Sequence, residues 1–204
     1  MTIRRGEPWG DVGPLPVGTV VARSDAEVSA IVTAARRSGG NPPPVALLGG
    51  DLMRAVGGTG DEGRLAGEVA RMPIDVVRAT SEDTTGWFVA HLVGRRSWWR
   101  GEVVAAMNAQ HIGRWDVAPR GHPDDGRIEV VRIAPTMTVR DRWRASRRAV
   151  HGAHVPHPDI EIVTVRSTDI RTSRPLRWWL DGRPWLSASD VELTVEPDSL
   201  IVCV

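Results

Sequence analysis

Three stretches of this sequence hold side chains whose types and spacing could do chemistry. Asp124 and Asp125 are adjacent in VAPRGHPDDGR, residues 117–127, a phrase with two prolines and two glycines. Such a pair offers oxygen ligands to a hard cation such as Mg²⁺ or can polarise a water. It equally suits an acidic turn that ends one strand and returns tightly into the next, Ile128 to Ile133. His151, His154 and His157 recur every third residue in HGAHVPHP, and imidazole is a favoured zinc ligand. Pro156 and Pro158 make that segment extended, so the three rings need not share a face. Arg95 to Arg100, RRSWWR, interleaves cations with Trp98 and Trp99. That pattern suits a bilayer interface, a stack on single-stranded nucleic acid, or indoles packed inward under guanidinium groups.

The elements that must position these residues fall into two textures. After a proline-rich lead-in, Thr19 to Ala22 reads as a strand. Ser24 or Asp25 then caps a helix whose Val28, Ile31, Val32 and Ala35 recur at helical spacing, and Gly39-Gly40 stops it. Val45 to Leu48 is a second strand, Asp51 to Val56 a short helical turn, and Gly57 to Gly63 a loop. From there short strands dominate: 74–78, 86–93, 102–108, 113–117, 127–133, 160–165, 176–180, 191–195 and 200–204. One helix, Val139 to Val150, interrupts them, and its five arginines around Trp143 read as a solvated face. The expectation is an α+β, mainly β protein: a short α/β segment (1–72) on a β-sandwich body (73–204).

Composition narrows the classes. With 26 basic and 25 acidic residues the net charge is +1, so no global field draws the chain to nucleic acid or an anionic bilayer. Every basic residue is arginine and tyrosine is absent, a bias that lowers the functional weight of any one arginine. The single cysteine, Cys203, excludes an internal disulfide and fits a reducing, cytoplasmic setting. Pro8, Pro14 and Pro16 interrupt any signal-type start, and no apolar run is long enough to span a bilayer.

From Ile74 onward the chain resembles the diacylglycerol kinase-like lipid kinases, the superfamily that includes sphingosine and ceramide kinases. Val117 to Arg127, Gly152-Ala153-His154 and Trp178-Trp179-Leu180-Asp181-Gly182 follow in the family's order and spacing. Leu47 to Gly57, LLGGDLMRAVG, is similar to a shortened form of the phrase that lies beside the nucleotide phosphates. The resemblance therefore implies Gly49, Gly50 and Asp51 on the phosphate side, and Asp125 or Asp181 as base or Mg²⁺ ligand. It also places Trp98 and Trp99 near the acyl-chain pocket.

Three departures qualify what the resemblance implies. The family's glycine-rich ATP loop is replaced by Arg23-Ser24-Asp25-Ala26-Glu27, where side chains block close backbone approach and Glu27 adds negative charge. The glutamate of the late D-G-E turn is Arg183, which stays protonated and cannot act as a base. The entry segment is expected to be too short to supply the family's first β-α units. Phosphoryl transfer depends on positioning and on neutralising phosphate charge, so the expectation is an impaired kinase homologue that binds a lipid-like ligand or a partner protein. In the competing readings it is a working ATP- and Mg²⁺-dependent lipid kinase, or a nucleic-acid-binding module. Peripheral membrane contact and pairing of two copies through an exposed sheet edge complete the expectations.

Overall fold

The computed structural model describes residues 9–204. Its strands and helices run β1 (Asp11–Pro14), β2 (Val20–Ala22), α1 (Asp25–Arg37), β3 (Val45–Leu47), α2 (Asp51–Ala55), β4 (Glu68–Ser81), β5 (Thr84–Phe88), β6 (His91–Arg95), β7 (Val103–Met107), β8 (His111–Ile112), β9 (Trp115–Asp116), β10 (Ile128–Ile133), α3 (Val139–Ala149), β11 (Ile160–Val165), β12 (Ser167–Leu180) and β13 (Arg183–Cys203). A 3-10 turn, Glu62–Ala66, leads into β4. Among the described residues no helix is long and apolar enough to cross a membrane.

Helix α1 starts where the sequence supplies a cap. Ser24 is extended and its hydroxyl accepts the Glu27 N–H, while the Glu27 carboxylate accepts the Arg23 N–H at 2.7 Å. This reciprocal arrangement is close to a capping box. Val28 and Val32 are fully buried, each contributing about 1.5–3 kcal/mol of apolar transfer free energy. The helix stops at Ser38, with Gly39 next at φ +76°.

Eleven strands form one hydrogen-bonded sheet, ordered β1-β4-β13-β12-β6-β7-β10-β11, with β5 on β4 and β2-β3 attached to β13. Most pairs are antiparallel; β3 runs parallel to both β2 and β13. The sheet folds over onto itself as a sandwich because its long strands carry irregularities, at 171–176 in β12 and 196–200 in β13. Bulges of that kind bend a strand and raise its twist. Between the layers lie Val77, Phe88, Leu92, Val104, Ala106, Val130, Trp178 and Leu193. Gly94 is required there, since any Cβ would collide with the Trp178 ring. A second core joins α1, β2, β3 and α2 to β4 and β13. The segment before residue 73 therefore shares both sheet and core with the rest of the chain, and β4 itself runs through that position.

Strand β7 shows why the sequence looks continuously apolar there. Val104 and Ala106 face the sandwich interior, while Val103, Ala105 and Met107 face the opposite side, toward α3. A strand buried on both faces has no polar alternation.

Several expected boundaries change. Residues 86–93 do not form one strand: β5 and β6 separate at Val89-Ala90, whose amides turn toward Asp181. Residues 191–195 and 200–204 belong to the single strand β13, bulged around Asp198. Residues 113–117 are not a sheet strand but part of the small β8-β9 hairpin, apart from the main sheet. Asp124-Asp125-Gly126 is not a hairpin return either, since β10 lies between β7 and β11. The 117–127 connection is tied instead to β4, where the Asp75 N–H donates to the Pro123 carbonyl and the Asp75 carboxylate accepts the Gly126 N–H, both at 2.7 Å. Turn-rich composition does not report such a tether.

Candidate functional site

Three carboxylates and one imidazole converge where α2 meets β6. Asp181 and Gly182, at φ +46° and +81°, form the two-residue turn between β12 and β13, as Asp-Gly does in type I′ hairpins. The Asp181 carboxylate folds back into the sheet and accepts the N–H groups of Val89, Ala90 and His91 at 2.8–3.0 Å. Those contacts open the strand at 89–90 and aim His91 inward. Asn108 holds the other side of the same bend by donating to the carbonyls of Asp75 and Val89.

Asp25 comes from the first turn of α1. Its carboxylate accepts the N–H groups of Asp51 and Leu52, at 2.6 and 3.0 Å, and so caps α2. Gly49 and Gly50 permit this approach: a Cβ on Gly49 would strike the Arg23 carbonyl, and one on Gly50, at φ +100°, would strike the Asp25 carboxylate. The glycines expected on the phosphate side thus lie against the 23–25 segment, and Asp51 faces His91. Its Oδ2 accepts the Gly113 N–H at 2.8 Å and lies 3.5 Å from His91 Nε2.

The electrostatics reflect this crowding. Burial pushes Asp181 up to about 7 and also raises Asp25. Burial would raise Asp51 as well, but the His91 ring and the Gly113 N–H outweigh it and hold Asp51 below the usual carboxylate range. His91 is the converse: burial opposes its charge, yet the carboxylates of Asp51, Asp181 and Asp25 raise it overall. Groups packed this closely titrate as coupled sites rather than independently. One ligand atom each from Asp25, Asp51 and His91 lies within 4.8 Å of the others, a nitrogen-and-oxygen donor set suited to a divalent cation.

The expected Asp124 and Asp125 lie elsewhere and do not act as a pair. Asp124 is fully buried and neither carboxylate oxygen makes a well-formed hydrogen bond among the described residues, though the Trp9 indole is near enough to lower its pKa slightly. Burial, with Asp75 and Asp198 nearby, pushes it up to about 7. Asp125 is half-buried and accepts the Arg127 N–H through Oδ1. Asp75 is raised to about 6 by burial, partly offset by the N–H groups of Asp198 and Gly126. Their oxygen chemistry fits a hard cation.

Trp98 and Trp99 roof an apolar pocket on the outer face of β7 and β10. Ala105 and Val131 form its floor, Met137 and Ala145 one wall, and Ile112 and Trp115 of the β8-β9 hairpin another. It encloses about 100 Å³, less than the ~300–1,000 Å³ of a typical small-molecule site. Trp98 packs edge-on against Trp115, and Arg95 stacks between Trp98 and Trp179. Trp99 keeps 43 % of its surface exposed at the rim. The hairpin joins this pocket to the acidic group: Ile112 lines the pocket, while the adjacent Gly113 donates to Asp51 and accepts from Arg54.

Of the three histidines, His154 and His157 line one cavity, while His151 is exposed and outside it. Arg183 is exposed, on the far side of the Asp181 turn. Sequence reasoning missed His91, since a lone histidine inside an apolar run reads as an ordinary core residue. Asp25 had one readable signal, its place in the S-D-A-E cap, which names a helix start but not the second helix that it caps.

This sandwich carries a carboxylate-rich junction with an apolar pocket beside it, and its class is that of a two-layer β domain with a short α/β edge. Residues 55–204 match the YegS C-terminal NAD kinase beta sandwich-like domain, and the chain belongs to that family. The chain is also similar to three solved structures from Bacillus anthracis str. Sterne. One is a diacylglycerol kinase, at 14 % identity and TM-score 0.65, covering 90 % of this chain and 74 % of that one. The others are putative diacylglycerol kinases, at 13 % and 14 % identity, both with TM-score 0.68 and covering 90 % of this chain and 76 % of theirs. No curated protein matches. The chain thus belongs to the YegS C-terminal domain family and shares the fold of these structures.

Proposed function

We propose that this protein binds a lipid-like ligand through the apolar pocket beneath Trp98 and Trp99 and does not itself transfer phosphate. The observation that carries the reading is the pocket: a carbon-lined recess roofed by two indoles. Its size suits the end of an alkyl chain. The exposed Trp99 and Trp143, with the α3 arginines beside them, favour pick-up of such a ligand from an anionic bilayer surface.

Loss of transfer is supported by the seat that phosphates would need. The first N–H groups of α2 are an anion site by nature, and Asp25 already fills it. An added polyphosphate would meet that carboxylate and Glu27. In the same reading Asp124 and its neighbours brace the sandwich around a structural cation such as Mg²⁺.

A second reading, an active ATP-dependent lipid kinase, is favoured by one observation: the Asp25, Asp51, His91 and Asp181 group lies beside the pocket hairpin, with the Asp181 carboxyl pushed up to about 7. Titration calorimetry with Mg-ATP and with a short-chain diacylglycerol, together with a transfer assay, separates the two. Lipid binding with neither nucleotide binding nor phosphorylated product is expected. Low-micromolar Mg-ATP binding with phosphorylated lipid overturns the proposal in favour of the second reading.

A further inference from the structure

Three ligand-type side chains from three separate elements meet where α1, α2 and β6 join: Asp25, Asp51 and His91, with one ligand atom of each within 4.8 Å of the others. Each is fixed in place by the backbone. Asp25 accepts the N–H groups of Asp51 and Leu52, one on each oxygen, and Asp51 Oδ2 accepts the Gly113 N–H. The main chain of His91 is clamped from both sides by Asp181, whose carboxylate accepts the His91 N–H and whose own N–H donates to the His91 carbonyl at 2.9 Å. A carboxylate has about four lone-pair sites, so both aspartates keep acceptor capacity beyond these bonds. Side chains held by such outer bonds are oriented before an ion arrives.

The imidazole is the member that hydrogen bonding does not account for. His91 is 7 % exposed, its Nδ1 has no partner among the described residues, and its Nε2 lies 3.5 Å from Asp51 Oδ2. An N–H···O bond spans only ~2.7–3.2 Å. Two ligands on one tetrahedral ion, at bonds of ~2.0–2.1 Å, lie ~3.3–3.4 Å apart, whereas neighbouring ligands on octahedral Mg²⁺ lie ~2.9–3.0 Å apart. The His91–Asp51 separation is therefore closer to that of two ligands sharing a tetrahedral ion. Donor type agrees with geometry: imidazole suits Zn²⁺ and its neighbours in the first transition row, while Mg²⁺ takes oxygen. Two carboxylates and a neutral ring also balance a doubly positive ion, and Asp181, already saturated by three N–H groups, is left as an outer partner.

We propose that Asp25, Asp51 and His91 form a binding site for a divalent ion of the Zn²⁺ class rather than for Mg²⁺, and that the ion staples the first turns of α1 and α2 to the start of β6. Three protein ligands leave the fourth tetrahedral position open to water. The site shares no residue with the apolar pocket, so it stands whether or not a lipid binds there.

The test is titration calorimetry of the full chain, stripped with a chelator, against Zn²⁺ and Mg²⁺, with Co²⁺ absorption as the geometric readout. One equivalent of Zn²⁺ is expected to bind at least about a thousandfold tighter than Mg²⁺, and Co²⁺ to give the intense visible bands of a tetrahedral complex. His91→Gln is expected to weaken Zn²⁺ at least about a hundredfold and to abolish the Co²⁺ bands, leaving Mg²⁺ unchanged. His151→Gln with His157→Gln, on the histidine-rich loop, is expected to alter neither readout. No Zn²⁺ binding to the native chain, or binding no tighter than that of Mg²⁺, overturns the site. So does a Zn²⁺ affinity that survives His91→Gln or disappears with the loop variant, because the ion then sits elsewhere. Where circular dichroism shows that His91→Gln has not folded, Asp51→Asn decides by the same titration: a hundredfold loss supports the site, and native affinity overturns it.

Discussion

Asp181 and Asp124 invite comparison because the sequence presents them alike, one directly and one two residues ahead of a turn glycine, and burial pushes both up to about 7. Their surroundings are opposite. Asp181 accepts three consecutive backbone N–H groups and thereby shapes the β5-β6 break. Asp124 accepts no backbone N–H among the described residues, has the Trp9 indole close enough to lower its pKa a little, and otherwise faces other carboxylates. A raised carboxylate pKa therefore has two meanings in one molecule. In the first case the backbone has been organised around the group; in the second the group must be kept uncharged or be matched by a cation.

The comparison breaks most easily at Asp181. Asp181→Ala would orphan three buried donors, at an expected cost of about 3–5 kcal/mol, whereas Asp124→Asn should leave stability at neutral pH equal to the native chain or better. Urea unfolding of both variants measures this, and a mild Asp181 variant would erase the distinction.

Asp25 belongs with Asp181 as a carboxylate saturated by backbone N–H groups, and Gly50 is the position that tests it. Gly50→Ala combines a positive φ with collision against that carboxylate, at about 2–3 kcal/mol. Gly57→Ala also has positive φ but meets nothing, and should cost only about 1 kcal/mol. Equal thermal shifts for the two would show that the Asp25 contact adds nothing.

A smaller effect sharpens Asp124. Its folded pKa lies above the unfolded value, so the folded chain holds the proton more tightly and stability falls as pH rises from about 4 to about 7. Asp124→Asn removes that fall. Relative to the native chain it should gain on the order of 1–2 kcal/mol between about pH 4 and about pH 7. Millimolar Mg²⁺ at the higher pH should raise the native melting temperature and leave the variant unmoved. A native chain indifferent to Mg²⁺ removes the cation from this loop.

The smallest effect is a control outside both groups. Arg95 stacks between Trp98 and Trp179, and Arg95→Ala should cost about 0.5–2 kcal/mol, loosening the pocket roof without changing either titration. A change in the pH profile of stability would tie the roof to the acidic groups.

Much of the architecture was legible because local chemistry and tertiary need agree. Ser24 and Glu27 announce α1, Val139 to Val150 announces α3 to within a residue, and β10 and β11 appear close to where their β-branched runs lie. The sandwich class and the family came from the same pattern. Legibility failed where a long-range partner redirects a segment. The 86–93 run reads as one strand, and only Asp181, far along the chain, divides it. VAPRGHPDDGR reads as a hairpin turn, and only the bonds from Asp75 show that it is a tethered crossing. Strand β13 reads as two strands because the 196–200 bulge has turn composition.

The candidate site divides in the same way. Residue type and order determined, without any coordinates, that Asp51, Asp181, Trp98 and Trp99 deserved notice, since those signals lie within short phrases. Only the tertiary structure placed Asp25 on the N-terminus of α2 and brought His91 between Asp51 and Asp181. Each of these depends on residues from separate elements meeting across a folded sheet, and that proximity is set by packing and backbone hydrogen bonding rather than by spacing along the chain.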